Sequence, residues 1–167
     1  MHYRSLDHFL TDGKDALALG PIAMVLVEDD VEVDTALRHH HQLGFTTIIA
    51  FMPAAFELAR DVEELVIRVD YSMAQDHAME TVINRMIEAT SGQWLYYCYN
   101  AEYLFYPFCE TRNIIEMLAF HSEERRDAML SYVIDLYADD LTAQPDAVSL
   151  DCAHLDRSGY YLSLIPI

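Results

Sequence analysis

The chain has few basic residues: 10 lysines and arginines stand against 28 acidic residues, and the formal net charge is −18. A surface this negative repels the phosphate groups of nucleic acids and of anionic lipids. The composition therefore argues against nucleic acid or a membrane surface as a partner. It also means that any bound phosphate would need a metal ion, a helix N-terminus or a few well-placed arginines.

Cysteine is also scarce. Cys98, Cys109 and Cys152 form no closely spaced pair, and an odd number of cysteines does not describe a disulfide framework. The sequence contains neither a CxxC nor an HxxxH pattern, which disfavours a zinc site. These absences predict a reduced, cytoplasmic protein.

Long apolar runs are missing. No run reaches the roughly 18 residues that a membrane-spanning helix needs, and Met1–Lys14 does not have the pattern of a secretory signal. With 167 residues, of which 53% are hydrophobic, the chain is predicted to form one globular domain. We expect a polar leader at about 1–20, a core at 21–138, and a loop with a possible last strand at 139–167.

What the sequence does contain is an alternation of strands and helices. Four segments are predicted as strands: Ile22–Val27, Thr46–Phe51, Leu65–Val69 and Trp94–Tyr99. The first has no polar position, which is typical of a strand buried on both faces of a parallel sheet. The alternation predicts an α/β fold with an open, mostly parallel sheet and flanking helices.

Helical patterns lie between and after these strands. The predicted helices are Val31–Leu43, one or two turns at 54–60, a helix between Ser72 and Gly92, Arg112–Phe120 and Glu123–Tyr137, and a last strand is predicted at Tyr160–Ile165. Asp30 is expected to cap the first helix, and Gly44 to follow its end. Ser72 and Gln75 have the spacing of a capping box.

Acidic residues follow the predicted strands. Glu28–Asp30 follows the first strand, Asp70 follows the third, and further polar residues come after Cys98. Because the carboxyl ends of parallel strands meet at one edge of a sheet, these groups are expected to form a ligand or metal site. For Glu32 and Asp34 the sequence favours the simpler interpretation that acids near a helix N-terminus complement the helix dipole.

Two other features have competing interpretations. His39, His40 and His41 are consecutive, so on a helix they point about 100° apart and cannot all reach one ion. We expect His40 to pack inward and the other two to face solvent. The aromatic stretch from Trp94 to Phe108 fits either a surface that stacks on a sugar or a base, or a core strand with a hydrophobic cover, and both interpretations stay open.

Several blocks occur in the order found in a known family. They are Val27-Glu28-Asp29, Ala36–Gly44, Ile48–Phe51, Gln75-x-x-Ala78, and Trp94-Leu followed by Glu102-Tyr103-Leu104. The ordered set, which spans about Ile22 to Leu104, resembles the opening of the family 2-like glycosyltransferases. That resemblance implies a Rossmann-like GT-A fold, which binds a nucleotide-diphospho-sugar.

The resemblance also implies a set of site residues. In the family, the acid after the first strand binds the base or ribose of the donor, and an Asp-x-Asp-Glu block holds Mn²⁺ or Mg²⁺ against the diphosphate. Here that block reads Tyr99-Asn100-Ala101-Glu102, so only the glutamate is kept. The implied donor-binding residues are Glu28, Asp29, Asp70 and Asn100, and the implied metal ligand is Glu102.

Two hypotheses for function follow. The first is transfer of a hexose from a nucleotide-sugar to a carbohydrate or glycoconjugate acceptor, with a divalent metal as cofactor. In the family the acceptor-binding part would lie mainly beyond Ile167. The alternative is a non-catalytic α/β scaffold or partner-binding domain derived from such an enzyme. A glycine-dependent phosphate loop is disfavoured, since the loop after the first strand has no glycine.

Overall fold

The computed structural model of the chain describes residues 1–162. It divides into two compact units, Met1–Glu124 and Arg125–Ile167. The organisation as one domain stays a prediction, and each unit is described by itself. Within the described residues, no helix is both long and apolar enough to cross a membrane.

The first unit is built on a five-stranded sheet. Its strands are β1 (His2–Tyr3), β2 (Ile22–Leu26), β3 (Thr47–Met52), β4 (Ile67–Asp70) and β5 (Leu95–Tyr99). Their order in the sheet is β1-β4-β3-β2-β5, and every neighbouring pair is parallel. The predicted α/β fold with an open parallel sheet and flanking helices is confirmed, and it is of the Rossmann-like kind.

The two central strands hold most of the core. Every residue of β2 and β3 is buried, and Ile22, Ile49 and Phe51 are fully inaccessible to solvent. Burying a side chain of this size stabilises the fold by roughly 1.5–3 kcal/mol. The uninterrupted apolar runs of the sequence therefore correspond to strands covered on both faces.

Helices flank the sheet. They are α1 (Leu6–Asp12), α2 (Val33–Gln42), α3 (Arg60–Glu63), α4 (Ala78–Ala89) and α5 (Ile114–Glu123), and a 3₁₀ helix spans Lys14–Ala18. In α4, the residues Ala78, Val82, Ile83 and Met86 are buried, at the spacing of one helical face. This buried face of α4 packs against the sheet.

The first 20 residues differ from the expected polar leader. They form β1, which pairs with β4, and α1, whose Leu6 and Phe9 belong to the core. Ser5 caps α1, since its hydroxyl accepts a hydrogen bond from the backbone N–H of His8 at 3.1 Å. Apolar residues spaced three and four apart favour a helix in this segment. The many polar residues around them are the reason why the sequence pattern predicts a polar leader instead.

Several predicted helix boundaries are wrong. The N-cap of α2 is Glu32 rather than Asp30, and the N-cap of α4 is His77, so the Ser72–Gln75 capping box does not form. Both caps have a left-handed backbone, with φ of 52° and 56° and no capping side chain. Without that side chain, the sequence carries no capping signal. By contrast, Gly44 does follow the end of α2, with φ of 91°.

The segment 54–60 contains a turn rather than helix, and α3 begins only at Arg60. Pro53 lies directly before it. The backbone N–H of Phe56 donates to the Pro53 carbonyl at 3.1 Å, which closes a tight turn. The β3–β4 connection is therefore mostly loop.

The second unit contains an antiparallel pair, β6 (Tyr132–Ala138) and β7 (Ala153–Leu162), with a register shift between Ile134 and Leu136. The predicted helix Glu123–Tyr137 is therefore wrong, because α5 ends at Glu123 and β6 begins at Tyr132. Residues 132–137 are rich in aromatic and β-branched side chains, which favour a strand over a helix. The expected last strand at Tyr160–Ile165 overlaps β7 to residue 162, and its remainder lies outside the described residues.

Candidate functional site

The strand order creates a switch point between β2 and β5. From β2 the chain continues to β3 and β4 on one side, whereas β5 lies on the other side of β2. Leu26 and Tyr99 are paired at the carboxyl ends of these two strands. At such a switch point, open α/β sheets bind ligands in the crevice outside the carboxyl ends of the strands.

The side chain of Asn100 connects the two loops of this crevice. Its Oδ1 accepts a hydrogen bond from the backbone N–H of Glu28 at 3.0 Å. Its Nδ2 donates to Oδ1 of Asp29 at 2.6 Å and to the carbonyl of Val31 at 3.0 Å. The loop after β2 is therefore fastened to the loop after β5 through one amide.

Asp29 is the exposed carboxylate at the centre of this arrangement. Its Oδ1 accepts a second hydrogen bond, from the backbone N–H of Val31 at 3.0 Å. Among the residues that the structure describes, none donates a hydrogen bond to Oδ2 of Asp29. The carboxylate is thus fixed through one oxygen, and the other is available to a ligand.

Glu102 shapes the loop after β5. Its Oε2 accepts the backbone N–H of Tyr99 at 2.8 Å, and Ala101 between them has a left-handed backbone with φ of 59°. Because β5 is the last strand of the sheet, Glu102 satisfies an edge N–H that has no strand partner. Within residues 1–162, no group of three or more His, Cys, Asp or Glu is arranged to hold a metal ion. The metal-ligand role of Glu102 stays a prediction.

The crevice is electrically negative. Burial raises the pKa of the Tyr99 phenol, and the negative charges of Glu28, Glu102 and Glu80 raise it further. The phenol donates a hydrogen bond to Sδ of Met79 at 3.2 Å. Three carboxylates near one hydroxyl mean that an anionic ligand would have to bring a cation with it.

Asp70 lies apart from the other predicted site residues. It ends β4, which is separated from β2 by β3, so about 10 Å of sheet divides Asp70 from the crevice. Its Oδ1 accepts hydrogen bonds from Nε2 of His2 at 2.7 Å and Nε of Arg68 at 3.4 Å. Arg68 is only 6% exposed and also donates to the carbonyls of Pro53 and Ala54. The structure therefore gives Asp70 an ion-pair partner and does not bring it to the crevice.

A second acidic depression lies beside the start of α2. It is open, has a volume of about 210 Å³, and is lined by Asp30, Glu32, Val33, Asp34, Thr35, Met52, Phe56 and Glu57. Both carboxylate oxygens of Asp34 accept the backbone N–H of Ala59 at 3.2 Å. Glu32 accepts the hydroxyl of Thr35, which also contacts the phenol oxygen of Tyr103 at 2.8 Å. Asp34 therefore fixes the loop before α3, and Glu32 forms a hydrogen bond within the first turn of α2.

The three consecutive histidines have three different environments. His40 is fully buried, its Nδ1 bonds the carbonyl of Ala36 at 2.7 Å, and its Nε2 lies 3.8 Å from Sγ of Cys98. Burial lowers the pKa of His40 to about 4. His39 bonds the carbonyl of Leu104 at 2.8 Å, and His41 is exposed. The inward packing of His40 is confirmed.

The aromatic stretch divides between core and surface. The ring of Tyr96 stacks on Phe45, with centroids 5.6 Å apart, and lies against His40. Phe105 and Phe108, in contrast, are 73% and 74% exposed. The stretch is thus core at Tyr96 and exposed at Phe105 and Phe108, and stacking of a sugar or base on the exposed rings stays a prediction.

Comparison with known proteins gives no relative: no family model, curated protein or solved structure matches the chain.

Proposed function

We propose that the chain is a glycosyltransferase-like domain of the GT-A type, similar to family 2, that binds a nucleotide-sugar in the crevice between β2 and β5. One observation carries the proposal. The strand order brings the loops that hold Asp29, Asn100 and Glu102 together at the switch point, where open α/β sheets bind ligands.

The polar groups of the crevice suit the sugar side of a nucleotide. Asp29 is exposed and fixed through Oδ1, so its other carboxylate oxygen would accept a hydrogen bond from a ribose hydroxyl. Glu28 is exposed beside it. Hydroxyl groups donate well to carboxylates, and these charge-assisted bonds are roughly twice as strong as neutral ones.

The diphosphate of the donor would be repelled by the same carboxylates unless a cation neutralised it. We therefore include Mn²⁺ or Mg²⁺ in the proposal, held by Glu102 and by the donor. One carboxylate that already accepts a backbone N–H is a small ligand set, so donor phosphates and water would complete the coordination, as is common for Mg²⁺. The ion would supply Lewis-acid stabilisation of the leaving diphosphate.

The proposed reaction is transfer of a hexosyl group to a carbohydrate or glycoconjugate acceptor. The proposed location is the cytoplasm, which agrees with the free thiols of Cys98, Cys109 and Cys152.

A calorimetric titration tests the binding step. UDP and GDP are titrated into the folded chain with Mn²⁺, with Mg²⁺ and with EDTA. We expect metal-dependent binding that Asp29→Asn weakens at least about tenfold, which corresponds to about 1.4 kcal/mol. Glu88→Gln is the matched control, because Glu88 is an exposed acid near the C-terminal end of α4. No binding of either diphosphate by the folded wild type would overturn the proposal.

A second candidate function is a non-catalytic scaffold or partner-binding domain. The observation that favours it is that the polar side chains of Asn100 and Glu102 already form hydrogen bonds within the protein: Asn100 with the loop after β2, and Glu102 with the backbone of Tyr99. Ala101→Asp discriminates between the two, since it restores an acid of the family block at a left-handed position that Asp tolerates. A gain of metal-dependent nucleotide binding would support a degenerate enzyme site. If the Ala101→Asp variant still binds no nucleotide, the scaffold function is supported.

A further inference from the structure

The Asn100 amide makes three hydrogen bonds that no other side chain of its size could make together. Oδ1 accepts from the Glu28 backbone, while Nδ2 donates to both Asp29 and the Val31 carbonyl. An aspartate at this position would accept from Glu28, but it has no donor for the other two groups. It would also place a second negative charge against Asp29, across a contact that is now 2.6 Å long.

These bonds set the orientation of the Asp29 carboxylate. Two donors, Nδ2 of Asn100 and the backbone N–H of Val31, meet on Oδ1 of Asp29. They fix the plane of an exposed side chain that would otherwise sample several rotamers. In the part of the chain that the structure describes, Oδ2 receives no hydrogen bond, so the fixed plane presents one acceptor to the crevice.

We infer that Asn100 is a positioning residue, which fixes Asp29 so that Oδ2 accepts a hydrogen bond from a ribose hydroxyl of the bound nucleotide. The inference rests on the proposed function, in which Asp29 binds the ribose, and it adds the residue that orients Asp29. Asn100 acts through Asp29: both of its amide N–H groups are used within the protein. A ligand without ribose hydroxyls gains nothing from this arrangement.

The discriminating experiment uses two ligands. Affinities are measured by calorimetry in Mn²⁺ for UDP and for its 2′,3′-dideoxy analogue, or for the GDP pair where GDP binds more tightly. The proteins are the wild type, Asn100→Ala, Asp29→Asn and a control, Asn84→Ala. Asn84 is an exposed asparagine in the middle of α4, so its replacement matches the change in composition.

We expect the wild type to prefer UDP over the dideoxy analogue by at least about tenfold. Asn100→Ala and Asp29→Asn should each reduce that preference to about twofold or less, while the affinity for the analogue stays at the wild-type value. A merely structural role would lower both affinities by the same factor, so the ratio separates the two roles. Asn84→Ala should keep both affinities. Circular dichroism confirms that each variant is folded.

The possible failures are distinguishable. If the wild type binds neither nucleotide, the proposed function is wrong. If the wild type prefers UDP and Asn100→Ala keeps that preference, or loses affinity for both ligands equally, the positioning role of Asn100 is wrong and the proposed function stands.

Discussion

The carboxyl end of β4 and the carboxyl ends of β2 and β5 carry similar acids in opposite surroundings. At β4, Asp70 meets Nε of the buried Arg68 and the ring of His2. At β2, neither Glu28 nor Asp29 forms an ion pair with any basic side chain that the structure describes, and Asp29 is instead held by an amide. An acid with its own buried cation stabilises the fold. An exposed acid that is held only by neutral donors has no cation beside it to balance its negative charge.

The sequence predicts one site that contains both Asp70 and Asp29, and their different surroundings show that they lie in two separate places. Asp70 and Asp29 both follow predicted strands, and both do lie at the carboxyl edge of the sheet. Only the strand order shows that β3 and β2 stand between Asp70 and β5. The predictions below test whether the two ends differ in the way their surroundings indicate.

The largest effect on stability is expected from Arg68→Met. This change removes the cation beside Asp70 and leaves the carbonyls of Pro53 and Ala54 without their donor. Removing one partner of a buried ion pair is strongly destabilising, and we expect a loss of about 3 kcal/mol in the free energy of unfolding. Urea denaturation measures it. Arg60→Met is the control, because the Arg60 side chain is 93% exposed and should cost less than about 0.5 kcal/mol. Equal losses in the two variants would contradict a structural role for the β4 end.

A smaller, pH-dependent effect is expected from His40, which is buried against Tyr96 and Cys98 of β5. Its folded-state pKa of about 4 lies below the value of about 6.5 in an unfolded chain. The unfolded state therefore binds more protons as the pH falls below 6.5, so stability is lost between pH 6.5 and 4. From pH 7 to pH 5 the loss should be roughly 2 kcal/mol.

Urea denaturation of the wild type, His40→Gln and His41→Gln at both pH values isolates this contribution. His41 is exposed, so its variant should keep the pH dependence of the wild type, whereas His40→Gln should lose that part of it. If the stability of His40→Gln has the same pH dependence as that of the wild type, proton uptake by His40 does not contribute to the loss of stability.

The smallest effect is expected at the β5 end, from Ala101→Gly. Ala101 has φ of 59°, a backbone conformation that costs an alanine roughly 1 kcal/mol and costs glycine almost nothing. Glycine loses more backbone entropy on folding, so the net gain should be about 0.5 kcal/mol. Thermal denaturation would show a small rise in Tm. A fall in Tm would mean that the alanine methyl group makes a contact that outweighs the strain.

Much of the fold follows from local sequence. The apolar runs of β2 and β3, the amphipathic face of α4 and the glycine after α2 are recognisable because burial on both faces, helical spacing and a positive φ each restrict the residue type. The N-caps of α2 and α4 leave no such sign, since Glu32 and His77 adopt left-handed conformations without a capping side chain.

Other features depend on contacts between distant segments. The two-residue strand β1 exists only because it pairs with β4. The 132–138 segment combines apolar residues at helical spacing with side chains that favour a strand, and it is a strand because it pairs with β7. The arrangement of the candidate site also depends on contacts between distant segments. Glu28, Asp29, Asn100 and Glu102 are recognisable as residues after strands, but the bridge from Asn100 to Asp29 requires β5 to lie beside β2.

The most direct test of the central claim compares Asp29→Asn with Asp70→Asn in one calorimetric titration with UDP, or GDP where it binds more tightly, and Mn²⁺. Each variant removes one negative charge from the carboxyl edge of the sheet. We expect Asp29→Asn to weaken binding at least about tenfold. Asp70→Asn should change the affinity by less than about twofold and lower the free energy of unfolding by about 1 kcal/mol. Equal losses of affinity in the two variants, or a larger loss in Asp70→Asn, would contradict the account.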